Sequence, residues 1–243
     1  MQTFSRSLVL LSSLFSIGAA HACGSFTTAY RFDLAGQAVG VISPAEGAGR
    51  EGVRNTYDAE GRIIKIEHGV LTSCPSEDVL PANWPNFDVR LVIDKTYDAM
   101  GRLLSERRSG PTLTQYSYDS VGRLECTAVR MNPTVYGSIA TLSACQLSTQ
   151  GSQGPDRITR HVYDVAGRVV TEQRAYGTAI QQNYAVYGYT PNGQQDWVED
   201  ANGNRTDFSY DGFDRLNRMN FPQVAVGAHA ASSTDYEECL ACQ

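Results

Sequence analysis

The sequence predicts an all-β protein made of tandem β-hairpin repeats. Three observations carry this reading: a Tyr-Asp-x-x-Gly-Arg segment that recurs along the chain, aromatic residues spaced two apart ahead of several copies, and a composition rich in turn and strand formers. The chain of 243 residues holds 22 glycines and 13 tyrosines, and its mean hydropathy is −0.31. Many turns joined by aromatic strands is what such a composition describes.

The recurring segment comes first, because a missed repeat misreads the whole fold. Four copies are strict: Tyr57-Asp58-x-x-Gly61-Arg62, Tyr97-Asp98-x-x-Gly101-Arg102, Tyr118-Asp119-x-x-Gly122-Arg123 and Tyr163-Asp164-x-x-Gly167-Arg168. Weaker copies begin at Phe32-Asp33, Tyr189-Thr190, Asp200 and Tyr210-Asp211. The aspartate at the head of each turn accepts hydrogen bonds from backbone N–H groups further on. The glycine takes positive φ without the penalty that a Cβ carries. A type I turn closed by a glycine bulge follows, which is a common longer hairpin connection. The turn residues of the array are therefore Asp58, Gly61, Asp98, Gly101, Asp119, Gly122, Asp164 and Gly167.

The flanks read as strands. Leu91, Ile93 and Tyr97 share one face before a turn, and Ile64 and Ile66 share one after another, which is the period of two that strands require. The pairs Tyr116/Tyr118, Tyr187/Tyr189 and Phe208/Tyr210 are expected to pack against equivalent pairs of neighbouring hairpins. The arginine after each glycine is expected to pair with a repeat carboxylate.

Equivalent aromatic positions are separated by 25, 40, 21, 45, 26 and 21 residues, so the unit is about 21 residues. The two long gaps mark loop insertions near residues 69–90, which hold Cys74 and three prolines, and near 126–157, which are rich in Ser, Thr, Gly and Gln. The expected organisation is a signal peptide at 1–22, a repeat array at 23–222 and a poorly ordered tail at 223–243.

These segments resemble the RHS/YD-repeat proteins, and the run from Val198 to Asp211 is similar to a complete unit of that family. The resemblance spans most of the chain. It implies a β-sheet that spirals into a curved, shell-like wall, as in bacterial toxin-carrying proteins and animal teneurins. The autocleaving D-P-x-G segment and the toxin domain that end many bacterial members are not found in the sequence.

The first residues read as an export signal: Arg6 supplies the positive start, Leu8 to Ala20 the apolar stretch, and Ala20-His21-Ala22 a cleavage site that would leave Cys23 first. A cysteine there raises lipid attachment as an alternative, but Ala20 stands where the lipoprotein motif prefers leucine. The apolar stretch is too short to span a bilayer comfortably. Removing residues 1–22 leaves 19 basic against 26 acidic residues with no basic cluster, which disfavours nucleic acid and anionic membrane as partners.

No motif for catalysis, cofactor or metal stands out. The histidines are isolated, and Asp200-x-Asn202-Gly203-Asn204 fails as a calcium loop because its glycine falls at the fourth position and Arg205 at the sixth. Six cysteines in an oxidising compartment point to disulfides. Their pairing is open from sequence; a bridge from Cys126 to Cys145 closing the second insertion is the simplest. Cys239-Leu-Ala-Cys242 lacks the second pair that a zinc site needs.

The function expected is a secreted or cell-surface structural or interaction protein, non-catalytic, with protein or glycan partners and with self-association through an open sheet edge. The alternative is a truncated N-terminal part of a toxin-delivery protein whose enzymatic end is missing.

Overall fold

The computed structural model describes residues 26–46, 49–222 and 231–233. The expected signal peptide, Cys23, and the expected tail other than 231–233 (Cys239 and Cys242 included) lie outside these residues.

The fold is all-β. Its strands are β1 (Ala29–Phe32), β2 (Ala38–Glu46), β3 (Gly49–Tyr57), β4 (Ile63–Leu71), β5 (Phe87–Tyr97), β6 (Leu103–Arg108), β7 (Thr112–Tyr118), β8 (Leu124–Arg130), β9 (Arg157–Tyr163), β10 (Val169–Arg174), β11 (Gln182–Tyr189), β12 (Gln195–Asp200), β13 (Arg205–Tyr210), β14 (Leu216–Pro222) and β15 (Ala231–Ser233). Hydrogen-bonded neighbours follow chain order from β1 to β15, so the sheet is an open meander with β1 and β15 as its edges. The pairings are antiparallel, as short hairpin turns require.

Two compact units divide the chain, one comprising the residues up to Thr56 with Glu67–Arg90, the other Tyr57–Ile66 with the residues from Leu91 onward. In the first unit the connection between β4 and β5 is residues 72–86, which include a short 3-10 turn at Pro81–Asn83. Trp84 from this connection packs with Ala29, Ile42 and Leu71, and Val79 and Phe87 lie against them. Glycine on the strand makes this approach feasible: a Cβ on Gly40 would stand 2.8 Å from the indole of Trp84.

In the second unit, β8 continues to Arg130 and β9 begins at Arg157, so the insertion proper is residues 131–156. Its Ala144 meets Cys126, Ala128 and Ile158 from the sheet, with Cys145 and Tyr176 alongside. A single-layer sheet cannot bury a face against itself. Each buried cluster therefore forms where an insertion lies over the strands.

Candidate interaction site

The strict repeats build one turn four times. In the first, Asp58 Oδ1 accepts from the backbone N–H groups of Glu60 (3.1 Å) and Arg62 (2.8 Å), while Oδ2 accepts from Arg62 Nε at 2.7 Å. The Asp58 N–H donates to Arg62 O, and the Gly61 N–H to Asp58 O. The same set recurs at Asp98, Asp119 and Asp164, with the paired arginines Arg102, Arg123 and Arg168. Gly61, Gly101, Gly122 and Gly167 have φ of 80°, 82°, 91° and 84°, the left-handed region where a side chain is disfavoured. The strand register slips by one at Thr96/Tyr97 and at Ser117/Tyr118, which is the bulge beside the turn.

These contacts set the charge state of the carboxyls. Burial raises Asp58, Asp98 and Asp119, but hydrogen bonds from the backbone and side chain of their arginines outweigh it and hold them below the ordinary value. At Asp164 the backbone hydrogen bond from Arg168 is the largest influence, and the direction is the same.

Successive turns are also joined to each other, which the sequence reading missed. The guanidinium of each arginine covers the aromatic ring of the next repeat: Arg62 over Tyr97 at 5.0 Å, Arg102 over Tyr118 at 4.5 Å and Arg168 over Tyr189 at 4.4 Å. The covered tyrosine returns a hydrogen bond, its hydroxyl donating to the carbonyl of the residue after that arginine. Tyr97 reaches Ile63 O (2.9 Å), Tyr118 reaches Leu103 O (2.9 Å) and Tyr189 reaches Val169 O (2.6 Å). Arg62 and Arg123 add a donation from Nη1 to Asp98 O and Asp164 O. Burial pushes the phenols of Tyr118, Tyr163 and Tyr189 up.

The turn tyrosines thus pack beneath arginines, whereas packing against the aromatic pairs of neighbouring hairpins was expected. Antiparallel order explains the difference. Every second connection falls at the same end of the sheet, so the arginine leaving one turn stands beside the tyrosine entering the next.

Of the weaker copies, Asp33–Gly36 in the first unit forms the same backbone turn, with Gly36 at φ 79°; the three in the second unit divide in two. Thr190–Gly193 and Asp211–Asp214 form the same backbone turn at the same end, with Asp214 at φ 62° where the strict copies have glycine. Asp200–Gly203 also has the turn hydrogen bonds, and Asn204 replaces arginine as the side-chain donor to Asp200 Oδ2. However, it links β12 to β13 and so lies at the opposite end, outside the ladder.

Cys126 and Cys145 form a disulfide with Cα atoms 5.2 Å apart. Behind it Arg130 is fully buried, with its Nη1 2.7 Å from Asp156 Oδ2. Its Nε and Nη2 donate to Gln115 Oε1, and further donations reach Gln146 O and Ser143 O. Asp156 in turn accepts from the N–H groups of Met131 and Ser148. Burial raises the Asp156 carboxyl, and these donors together with Arg130 bring it below its ordinary value. Sequence reasoning did not find this centre, since a lone arginine and a lone aspartate 26 residues apart have no motif.

Between the insertion and strands β5, β6 and β7 runs an open groove of about 390 Å³. Asp94, Thr96, Ser105, Arg107 and Leu113 line it from the sheet, and Tyr136 and Leu142 from the insertion. Among the described residues no cluster of His, Cys, Asp and Glu can hold a metal ion, and no helix is long and apolar enough to cross a membrane.

No family model and no curated protein matches the sequence. Among solved structures, the chain is similar to the crystal structure of TcdB2-TccC3-Cdc42, at 14% identity and a TM-score of 0.42, covering 83% of this chain and 10% of that one. It is similar to TcdB2-TccC3 without the hypervariable C-terminal region, at 15% identity and a TM-score of 0.42, with 84% and 10% covered. The Photorhabdus luminescens Tc holotoxin pore, carrying a substitution in TccC3, gives the same four figures. This chain spans about a tenth of the length of each of those chains.

Proposed function

We propose that the chain is an exported structural or interaction protein of the RHS/YD-repeat type, non-catalytic, whose sheet serves as scaffold and binds protein or glycan partners. The turn ladder is the observation that supports this reading most directly. The charged groups that the repeat supplies in quantity, its aspartates and arginines, are engaged with each other and with backbone in every strict copy. Such a pattern serves to stack one hairpin on the next. The buried charge pair, Arg130 with Asp156, holds an insertion in place and has no open side. Export rests on the leader-like residues 1–22, with the array at 23–222 as the exported part.

The test is to isolate the chain from the exported fraction of its host, cross-link it and identify what it holds by mass spectrometry. The expected result is a stable complex with a protein or a glycan-bearing macromolecule, and no turnover of peptide, ester, phosphoester or glycoside substrates by the purified chain. Turnover that co-purifies with the chain and disappears on a single point substitution would replace the scaffold reading with an enzymatic one.

A further inference from the structure

Among the described strands β1 is an edge of the sheet, and one of its side chains is charged, buried and without a counter-charge. Burial alternates along the strand, with Ala29 and Arg31 buried and Tyr30 and Phe32 exposed. Arg31 is only 9% exposed, and among the described residues it forms no ion pair. Its Nη1 donates to the neighbouring Tyr30 O at 3.1 Å and its Nη2 to Pro75 O at 3.4 Å, while Nε meets no acceptor. A guanidinium buried in this way is costly. Arg130, beneath the second insertion, shows the remedy, a carboxylate oxygen at 2.7 Å.

A second donor belongs to the same place. Arg31 stands opposite Gly40 in the β1–β2 register, so the two share a face. On that face the Trp84 indole lies over Gly40, and its buried Nε1 also meets no acceptor. Two buried N–H donors and one positive charge thus occupy paired positions on the two outermost strands, a setting that suits a carboxylate. On the other face, Tyr30 and Phe32 are exposed with ring centres 6.3 Å apart. An extended chain pairing with β1 meets both faces at once, and alternation then asks for an acid, an aromatic and an acid in succession. The sequence Thr234-Asp235-Tyr236-Glu237-Glu238, which follows β15 at the opposite edge, has that order.

We propose that residues 235–237 of a second copy add as a strand to the free edge of β1, one of the Asp235 and Glu237 carboxylates meeting Arg31 and Tyr236 lying against Tyr30 and Phe32. Copies then join head to tail, since the donor segment and the acceptor strand belong to opposite edges. A second copy is thereby the protein partner at this edge, an assignment that rests on the scaffold reading.

The test is sedimentation velocity of the exported full-length chain. Association should rise with concentration and pass beyond a dimer, because head-to-tail joining leaves an open edge at each end. Asp235→Asn combined with Glu237→Gln should weaken it tenfold or more, whereas Glu238→Gln, two positions from Tyr236 and so on the aromatic face, should leave it intact. The doubly substituted chain, whose own segment is neutral, should bind a fluorescent peptide of residues 231–238 in an anisotropy titration, and adding Arg31→Met should weaken that binding tenfold or more. If Arg31→Met lowers the melting temperature, the segment substitutions decide alone, since they leave β1 untouched. A monomer at every concentration, or association indifferent to the double substitution, overturns the proposal. So does acetate binding that depends on Arg31 in a chain that ignores the peptide, since that selects a free small carboxylate. A monomer leaves the scaffold reading standing, whereas only substrate turnover would overturn that reading.

Discussion

The guanidinium of Arg123 lies 4.5 Å from the centre of the Tyr163 ring, and the hydroxyl of that ring donates to Leu124 O at 2.7 Å. Tyr163 thus makes two different contacts with adjacent residues of the preceding repeat, Arg123 and Leu124. Tyr163→Phe should keep the ring under the guanidinium and lose only the hydrogen bond, destabilising by about 1 kcal/mol. A double-mutant cycle of Arg123→Met with Tyr163→Leu should show coupling of about 0.5–1 kcal/mol in urea denaturation. Strict additivity of the two substitutions would remove the ladder as a stabilising device.

Turn glycines should be far less replaceable than the positions before them. Gly167 sits at φ 84°, whereas Ala166 is exposed in the same turn. Gly167→Val should cost at least about 1–2 kcal/mol, visible as a drop of several degrees in melting temperature, and Ala166→Val should change it little. The converse holds at Asp214, a non-glycine residue at φ 62°. There Asp214→Gly should not destabilise the last turn, and equal losses at Asp214 and Gly167 would contradict the common geometry.

Acid should weaken the array through its turn aspartates. Asp58, Asp98, Asp119, Asp164 and Asp211 are all held below the ordinary carboxyl value in the folded chain. A depressed folded pKa gives stability that is fully present above the unfolded value of about 3.9 and is lost as pH falls through the folded value. Melting temperature should therefore be flat between about pH 7 and 5 and fall steeply below about pH 4. Asp98→Asn should flatten part of that fall, because one titrating group is gone.

The second insertion should depend on two separate fastenings. Replacing Cys126 and Cys145 together by serine opens a loop of 19 residues and should lower stability by about 3 kcal/mol. Asp156→Asn leaves the buried Arg130 charge without its partner and should cost about 3–5 kcal/mol. Replacing the pair by Met and Leu should be much milder than Asp156→Asn alone. If it is equally damaging, the cost lies in packing and not in the stranded charge.

The hairpin turns were legible because everything they need is local: an aspartate, a glycine and the backbone between them, within five residues. The strand faces around Tyr97 and Ile64 were legible for the same reason, since period two is a local signal. The ladder was not, because Arg123 and Tyr163 become neighbours only once strand order is known, and nothing in either repeat announces the insertion lying between them. The Asp200 turn shows the opposite failure. Its residues satisfy the local rule, yet counting strands places it at the other end of the sheet. Arg130 and Asp156 were silent in sequence because a buried ion pair is defined by its surroundings, and the groove inherits that silence.

In the second unit, the connections at 109–111, 131–156, 175–181 and 201–204 all leave the sheet at the end away from the ladder. Their lengths run from a tight turn to a folded insertion, while the ladder turns keep one length throughout. The two ends therefore answer to different rules. At one, an added residue would push an arginine off its tyrosine and unsettle two repeats at once; at the other, new chain can be gained or lost without disturbing any rung. The free end is thus where a protein built this way can acquire new binding features while its frame stays the same.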